Sequence, residues 1–74
     1  MSAESRSLVP ITLNGAPARV PAGASIADLL RRMELPRERV AVELHGAIVR
    51  KAEYEATRLS EGAVVEVVSF VGGG

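Results

Sequence analysis

The chain has 74 residues, with nine basic and nine acidic side chains that cancel to a formal charge of zero. That length bounds it to one small domain, and a neutral chain whose only aromatic residues are Tyr54 and Phe70 lacks the basic groove and stacking platform of nucleic-acid binding. The absence of cysteine and a single histidine, His45, exclude a disulfide framework, a Cys/His zinc site, a cysteine nucleophile and any two-histidine catalytic device.

Apolar residues make up 47% of the chain, too many for a disordered polymer, yet they are dispersed and no run could span a bilayer. Residues 1–7 are polar and lack the apolar core of a signal peptide, so a disordered N-terminal tail and a cytoplasmic location are expected. From Leu8 to Asn14, Val9, Ile11 and Leu13 alternate with Pro10 and Thr12, the period of a half-buried strand. Pro10 has no N–H, so its nitrogen is expected on an unpaired side or near a strand beginning. Asn14-Gly15 predicts a tight hairpin turn, because both central residues of a type I′ turn need positive φ. A return strand follows from Ala16 to Pro21, with Ala18 and Val20 inward.

Ser25 is placed to cap a helix by accepting from the Asp28 amide, with Asp28 at the positive end of the helix dipole. Ile26, Leu29, Leu30 and Met33 form one apolar stripe. Arg31 and Arg32 fall in the last turns, and Pro36 predicts a stop near Glu34 or Leu35. Val40, Val42 and Leu44 alternate with Ala41 and Glu43 as a third strand. His45-Gly46 turns the chain into a short fourth strand, Ala47-Ile48-Val49. The polar stretch from Lys51 to Ser60 carries Tyr54 and Leu59 as anchors and a short helical turn. Glu61-Gly62 leads into the last strand, Ala63 to Val71.

Two strands, a helix, two strands, a short helical turn and a strand make an α+β domain. A single apolar helix stripe needs one sheet face to cover it. The expectation is a β-grasp (ubiquitin-like) fold over residues 8–71, a mixed sheet of about five strands with one main helix on one face, followed by a flexible glycine tail at 72–74.

On the last strand, Val65, Val67, Ser69 and Val71 share one side, and Val64, Glu66, Val68 and Phe70 the other. Charged Glu66 marks its side as wet, so Val64, Val68 and Phe70 become a candidate partner surface. A bulge that turns Phe70 into the core is the alternative. Gly72, Gly73 and Gly74 make no turn and end no helix. A glycine thread is thin enough to enter a partner's narrow active site, which assigns the reactive group to the α-carboxylate of Gly74. An incidental flexible tail is the other reading. Because ordering glycine is entropically costly and glycine has no side chain to recover that cost, binding energy must come from the folded surface.

From roughly Ile11 to Gly74 the sequence resembles the sulfur carriers of bacterial thiamine biosynthesis, the ThiS family of ubiquitin-like proteins. The resemblance lies in Asn14-Gly15, in Ser25-Ile26-Ala27-Asp28-Leu29-Leu30, in the Val40–Leu44 strand, in Glu61-Gly62, and above all in Val68-Ser69-Phe70-Val71-Gly72-Gly73-Gly74. It departs at His45, where the family usually has asparagine, and at Arg50-Lys51, where a proline is common. The resemblance implies a protein co-substrate rather than an enzyme, with no bound cofactor or metal of its own. A ThiF-like adenylyltransferase would use ATP and Mg²⁺ to adenylate Gly74, a cysteine-desulfurase relay would supply persulfide sulfur, and a ThiG-like thiazole synthase would take sulfur from the thiocarboxylate. Nucleic acid and membrane are not expected partners.

A carrier whose sulfur sits on the chain terminus needs no thiol, which fits the missing cysteine. Other readings within reach are a molybdopterin-synthase small-subunit type of carrier, a ubiquitin-like protein modifier, and a non-covalent β-grasp interaction module. His45 reads as a turn residue, Tyr54 as a packing anchor, Asp28 as a cap, and Arg31, Arg32, Arg37 and Arg39 as a solvated face that could also steer an acidic partner.

Overall fold

The structure, a computed structural model, describes residues 8–70. The expected tails at 1–7 and 72–74, and Val71 at the end of the expected last strand, lie outside the described residues.

The hairpin forms as the Asn-Gly pair requires. Asn14 has φ 52° and Gly15 has φ 82°, and β1 (Leu8–Leu13) pairs antiparallel with β2 (Ala16–Pro21) from Leu13↔Ala16 to Leu8↔Pro21. Helix α1 (Ile26–Arg32) follows, then a 3₁₀ turn at Arg37–Arg39, β3 (Val40–Leu44), β4 (Ala47–Val49), a second 3₁₀ turn at Lys51–Glu53, and β5 (Val64–Ser69). The five strands form one sheet in the order β2-β1-β5-β3-β4. The central β1–β5 pair is parallel, while β1–β2, β3–β4 and β3–β5 are antiparallel. This is the mixed five-strand, single-helix architecture the sequence implies.

Pro10 sits where its missing donor costs nothing. Its carbonyl accepts the Gly62 N–H at 2.8 Å, so its nitrogen faces the same side, where β5 has not yet begun.

The start of α1 accounts for each of its otherwise unpaired amides. The Ser25 hydroxyl accepts the Asp28 N–H at 3.1 Å, and the Asp28 carboxylate accepts the Ser25 N–H at 2.9 Å, a complete capping box. The Ile26 and Ala27 amides donate to the carbonyls of Thr57 and Tyr54, each at 3.0 Å. The polar segment from 51 to 60 is thereby stapled to the helix start by backbone bonds, and the Leu59 amide adds a third, to the Ala24 carbonyl. Tyr54 and Leu59, each 1% exposed, then enter the core as anchors. Burial pushes the Tyr54 phenol up, partly opposed by the Arg37 guanidinium, whose central carbon lies 5.6 Å from the ring centroid.

The helix ends earlier than Pro36 alone suggested. Met33 is its C-cap, and Glu34 adopts a left-handed φ of 59°. The Leu35 amide reaches back to the Leu30 carbonyl and the Glu34 amide to the Arg31 carbonyl, which is the Schellman arrangement. Glutamate fills the position that glycine usually takes, so the stop carries no glycine signature in the sequence.

The core lies between α1 and one sheet face. Ile26, Leu29 and Leu30 of the helix pack with Ile11, Val20, Val40, Val42, Val65 and Val67 of the strands, and with Tyr54 and Leu59. Met33 and Leu35 are partly buried at its margin.

The capping box yields a pH-dependent prediction. The Ser25 amide holds the Asp28 carboxyl below its ordinary 3.8, and Arg31, at 2.6 Å, adds to the effect. A lowered folded-state value gives stability that is present above the unfolded value and lost as pH falls through the folded one. Ser25→Ala, which keeps that amide but removes the hydroxyl that accepts the Asp28 N–H, should cost about 1 kcal/mol, a fall in Tm of roughly 4–8 °C at neutral pH. Asp28→Asn should flatten the acid limb of the stability curve below pH 4, as followed by circular dichroism melts.

Candidate functional site

Strand β5 displays two different faces because its side chains alternate. Val65 and Val67 point into the core at 0% and 7% exposure, whereas Val64, Val68 and Phe70 are 42%, 54% and 59% exposed. All three apolar residues singled out from the sequence are thus on the outer sheet surface, on consecutive outward positions around Glu66. No bulge turns Phe70 inward. Its amide donates to the Arg39 carbonyl at 2.7 Å, which extends the β3–β5 ladder one residue past the strand and keeps the alternation in step.

The neighbouring strands enlarge this surface. Register sets Ala41 opposite Val68, Glu43 opposite Glu66, and Thr12 beside Val64. On β4, Ile48 stands opposite Glu43 and is 73% exposed. Leu8 on β1 is 42% exposed. Ile48 escaped sequence reading because β4 has three residues, too few for alternation to reveal which side is wet. Its place between His45-Gly46 and the polar stretch after Arg50 was the available signal.

Asn14 has a second role that its turn position hides. Its amide donates to the Val65 carbonyl at 2.9 Å, and its side-chain oxygen accepts the Val67 N–H at 2.8 Å. The hairpin tip therefore continues, through a side chain, the pairing that β1 itself ends at Leu13. Asn14→Ala should cost roughly 1–3 kcal/mol, because it leaves a part-buried amide unmatched and places alanine at positive φ. Thermal melts and amide exchange at Val67 measure both consequences.

The remaining sequence candidates have structural places. His45 occupies the β3–β4 turn at φ 53°, and its amide donates to the Val64 carbonyl at 2.7 Å. Arg31 pairs with Asp28, while Arg37 pairs with Glu55 at 3.0 Å and donates to the Lys51 carbonyl. Among the described residues no group of three or more His, Cys, Asp or Glu side chains could hold a metal ion. A groove of about 360 Å³ lies beside the start of α1, lined by Pro21, Ala22, Gly23, Ala24, Asp28, Arg31 and Arg32, on the helix side of the sheet. Gly72, Gly73 and Gly74 lie outside the described residues.

The sequence model of the ThiS family matches residues 11–74. The sulfur carrier protein ThiS of Bacillus subtilis is 40% identical over 50 residues, which cover 68% of this chain and 76% of that protein. A thiazole synthase of Magnetococcus marinus is 42% identical over 64 residues, or 86% of this chain and 20% of that protein. The chain thus spans about a fifth of the length of that relative. The crystal structure of the thiamine biosynthesis protein ThiS from Geobacter metallireducens superposes with a TM-score of 0.75 at 32% identity, covering 89% of this chain and 100% of that one.

Proposed function

This chain belongs to the ThiS family of sulfur carriers in thiamine biosynthesis, which are carriers and not enzymes, and on that premise we propose that the α-carboxylate of Gly74 is the group that carries the sulfur. The observation that supports this most is the extent of the family match, which continues through the glycine tail to residue 74.

The chemistry divides between this chain and its partners. A ThiF-like adenylyltransferase binds ATP and Mg²⁺. A Gly74 carboxylate oxygen attacks the α-phosphorus, pyrophosphate leaves, and an acyl adenylate forms. The terminal sulfur of a persulfide, delivered from a cysteine desulfurase, then attacks the acyl carbon as AMP departs. A thiol reductant cleaves the resulting acyl disulfide, leaving a thiocarboxylate on Gly74 and a disulfide on the sulfur donor. Glycine suits the position because no Cβ crowds the reacting carbon.

Thiazole synthase is the proposed acceptor. The support is that a thiazole synthase contains a segment 42% identical to this chain, and a second, from Paramagnetospirillum magneticum, one 31% identical. The chain's own contribution is the folded handle. Its outer sheet face, with Val64, Val68 and Phe70, supplies docking energy that the glycine tail cannot. A cytoplasmic location goes with this proposal; no helix among the described residues is long and apolar enough to cross a membrane.

The test is functional replacement. Expression in a bacterium lacking its own ThiS should restore growth without thiamine, and expression in one lacking the molybdopterin-synthase carrier should not restore molybdoenzyme activity. The reverse pattern would overturn the thiamine assignment. Phe70→Ala should weaken adenylyltransferase binding at least about tenfold while shifting Tm by little, because the ring is exposed. A large fall in Tm with unchanged binding would remove Phe70 from the docking face.

A further inference from the structure

On the outer sheet face, β3 and β5 set Glu43 directly opposite Glu66. Like charges in that relation destabilise a sheet. Among the described residues the ion pairs are Arg31–Asp28 and Arg37–Glu55, so neither carboxylate has a counter-ion. Arg50, which follows Val49 at the end of β4, is the nearest cation by register and pairs with neither. The carboxylates stand in an apolar field. Val64 and Val68 flank Glu66 along β5, and Ile48 stands opposite Glu43 on β4.

We infer that this face is shaped for a protein surface that presents an arginine or lysine, framed by apolar side chains, to Glu43 and Glu66, and that the adenylyltransferase acting on Gly74 carries that surface. The inference rests on the carrier reading and names the chemistry its docking face requires.

Reach places the pair under the partner. The four residues after Phe70 extend at most about 14 Å, so an active site that receives Gly74 lies close to the end of β5. Glu66 is four residues before Phe70, about 13 Å back along the same strand. An interface of ordinary size buries about 800 Å² per partner, a patch roughly 30 Å across, and so includes the pair.

Charge then selects the occupant. An apolar partner surface would strip water from two carboxylates and return nothing. A second copy of this face would bring four carboxylates together, and a lipid or nucleic-acid phosphate set against the pair itself would meet like charge. A guanidinium or ammonium group turns the intramolecular repulsion into shared attraction, with the surrounding valines and Ile48 excluding water. The pair is thus a feature that opposes folding and favours association.

The test uses the full chain and the purified adenylyltransferase, with affinity measured by calorimetry at low and high salt. Glu43→Gln combined with Glu66→Gln should leave Tm unchanged or raise it by a few degrees. The same variant should weaken binding about tenfold or more at low salt and flatten its salt dependence. Glu53→Gln with Glu61→Gln, which removes equal charge away from this face, should bind as the wild type does. Binding of the first variant within twofold of wild type, equal weakening in the control variant, or no binding by the wild-type chain would each overturn the inference. Sulfur gain by the wild type, read as mass, reports separately on the carrier chemistry. Sulfur gain with carboxylate-independent binding overturns the role of the pair alone, and carboxylate-dependent binding without sulfur gain overturns the carrier chemistry alone.

Discussion

Deletion of Gly74 should abolish thiocarboxylate formation, a loss of at least about 100-fold, while leaving Tm and adenylyltransferase affinity unchanged. The deletion moves the terminal carboxylate back by about 3.5 Å, and a misplacement of roughly 1 Å in a reacting group already costs on the order of 100-fold. Stability should be unaffected because, among the described residues, the last strand contributes Val65 and Val67 to the core, both well before the deleted position. Affinity is unaffected because Val64, Val68 and Phe70 remain, and they carry the docking energy in this account. Gly74→Ala, which keeps the length and adds one methyl beside the reacting carbon, should lose less. Full activity after the deletion would mean that the carboxylate of Gly74 is not the reacting group.

Leu59→Ala should do the opposite. Leu59 is 1% exposed and packs in the core beside Tyr54 and Ile26, while its amide ties the 51–60 segment to Ala24. Leucine-to-alanine truncations in cores cost about 2–5 kcal/mol, against a total stability of roughly 4–11 kcal/mol for a chain of this length. At roughly 4–8 °C per kcal/mol, Tm should fall by at least about 8 °C. Sulfur loading of the protein that remains folded should match wild type when measured well below the new midpoint. A shift of only a degree or two would show that the segment packs too loosely to count as core.

Much of this fold is written locally in the sequence. Asn14-Gly15 specifies its turn because few other pairs accept two positive φ values, and Ser25 with Asp28 specifies a helix start because both side chains have amides to satisfy. The outward row Val64, Glu66, Val68 and Phe70 was legible because one charge in an alternating strand identifies the wet side. What escaped reading depends on pairs distant in the chain. The Glu43–Glu66 juxtaposition exists only through the β3–β5 register, and the Asn14–Val67 bond joins residues 53 apart. The early end of α1 was hidden for a different reason. Glu34 takes the left-handed position in its cap, held by two backbone bonds and by the packing of Leu35, neither of which a glutamate announces. The proposed role of the glycine tail rests on chemistry alone, since Gly72, Gly73 and Gly74 lie outside the described residues and three consecutive glycines leave the reacting carbon uncrowded.

Fragment-ion mass spectrometry can locate the sulfur proposed to reside on the chain terminus. After incubation with adenylyltransferase, MgATP and a persulfide donor, the intact chain should gain the mass difference between one sulfur and one oxygen. The fragment series should place that gain on Gly74 alone. An unchanged mass with a partner of demonstrated activity, or a gain assigned to any other residue, would contradict the account.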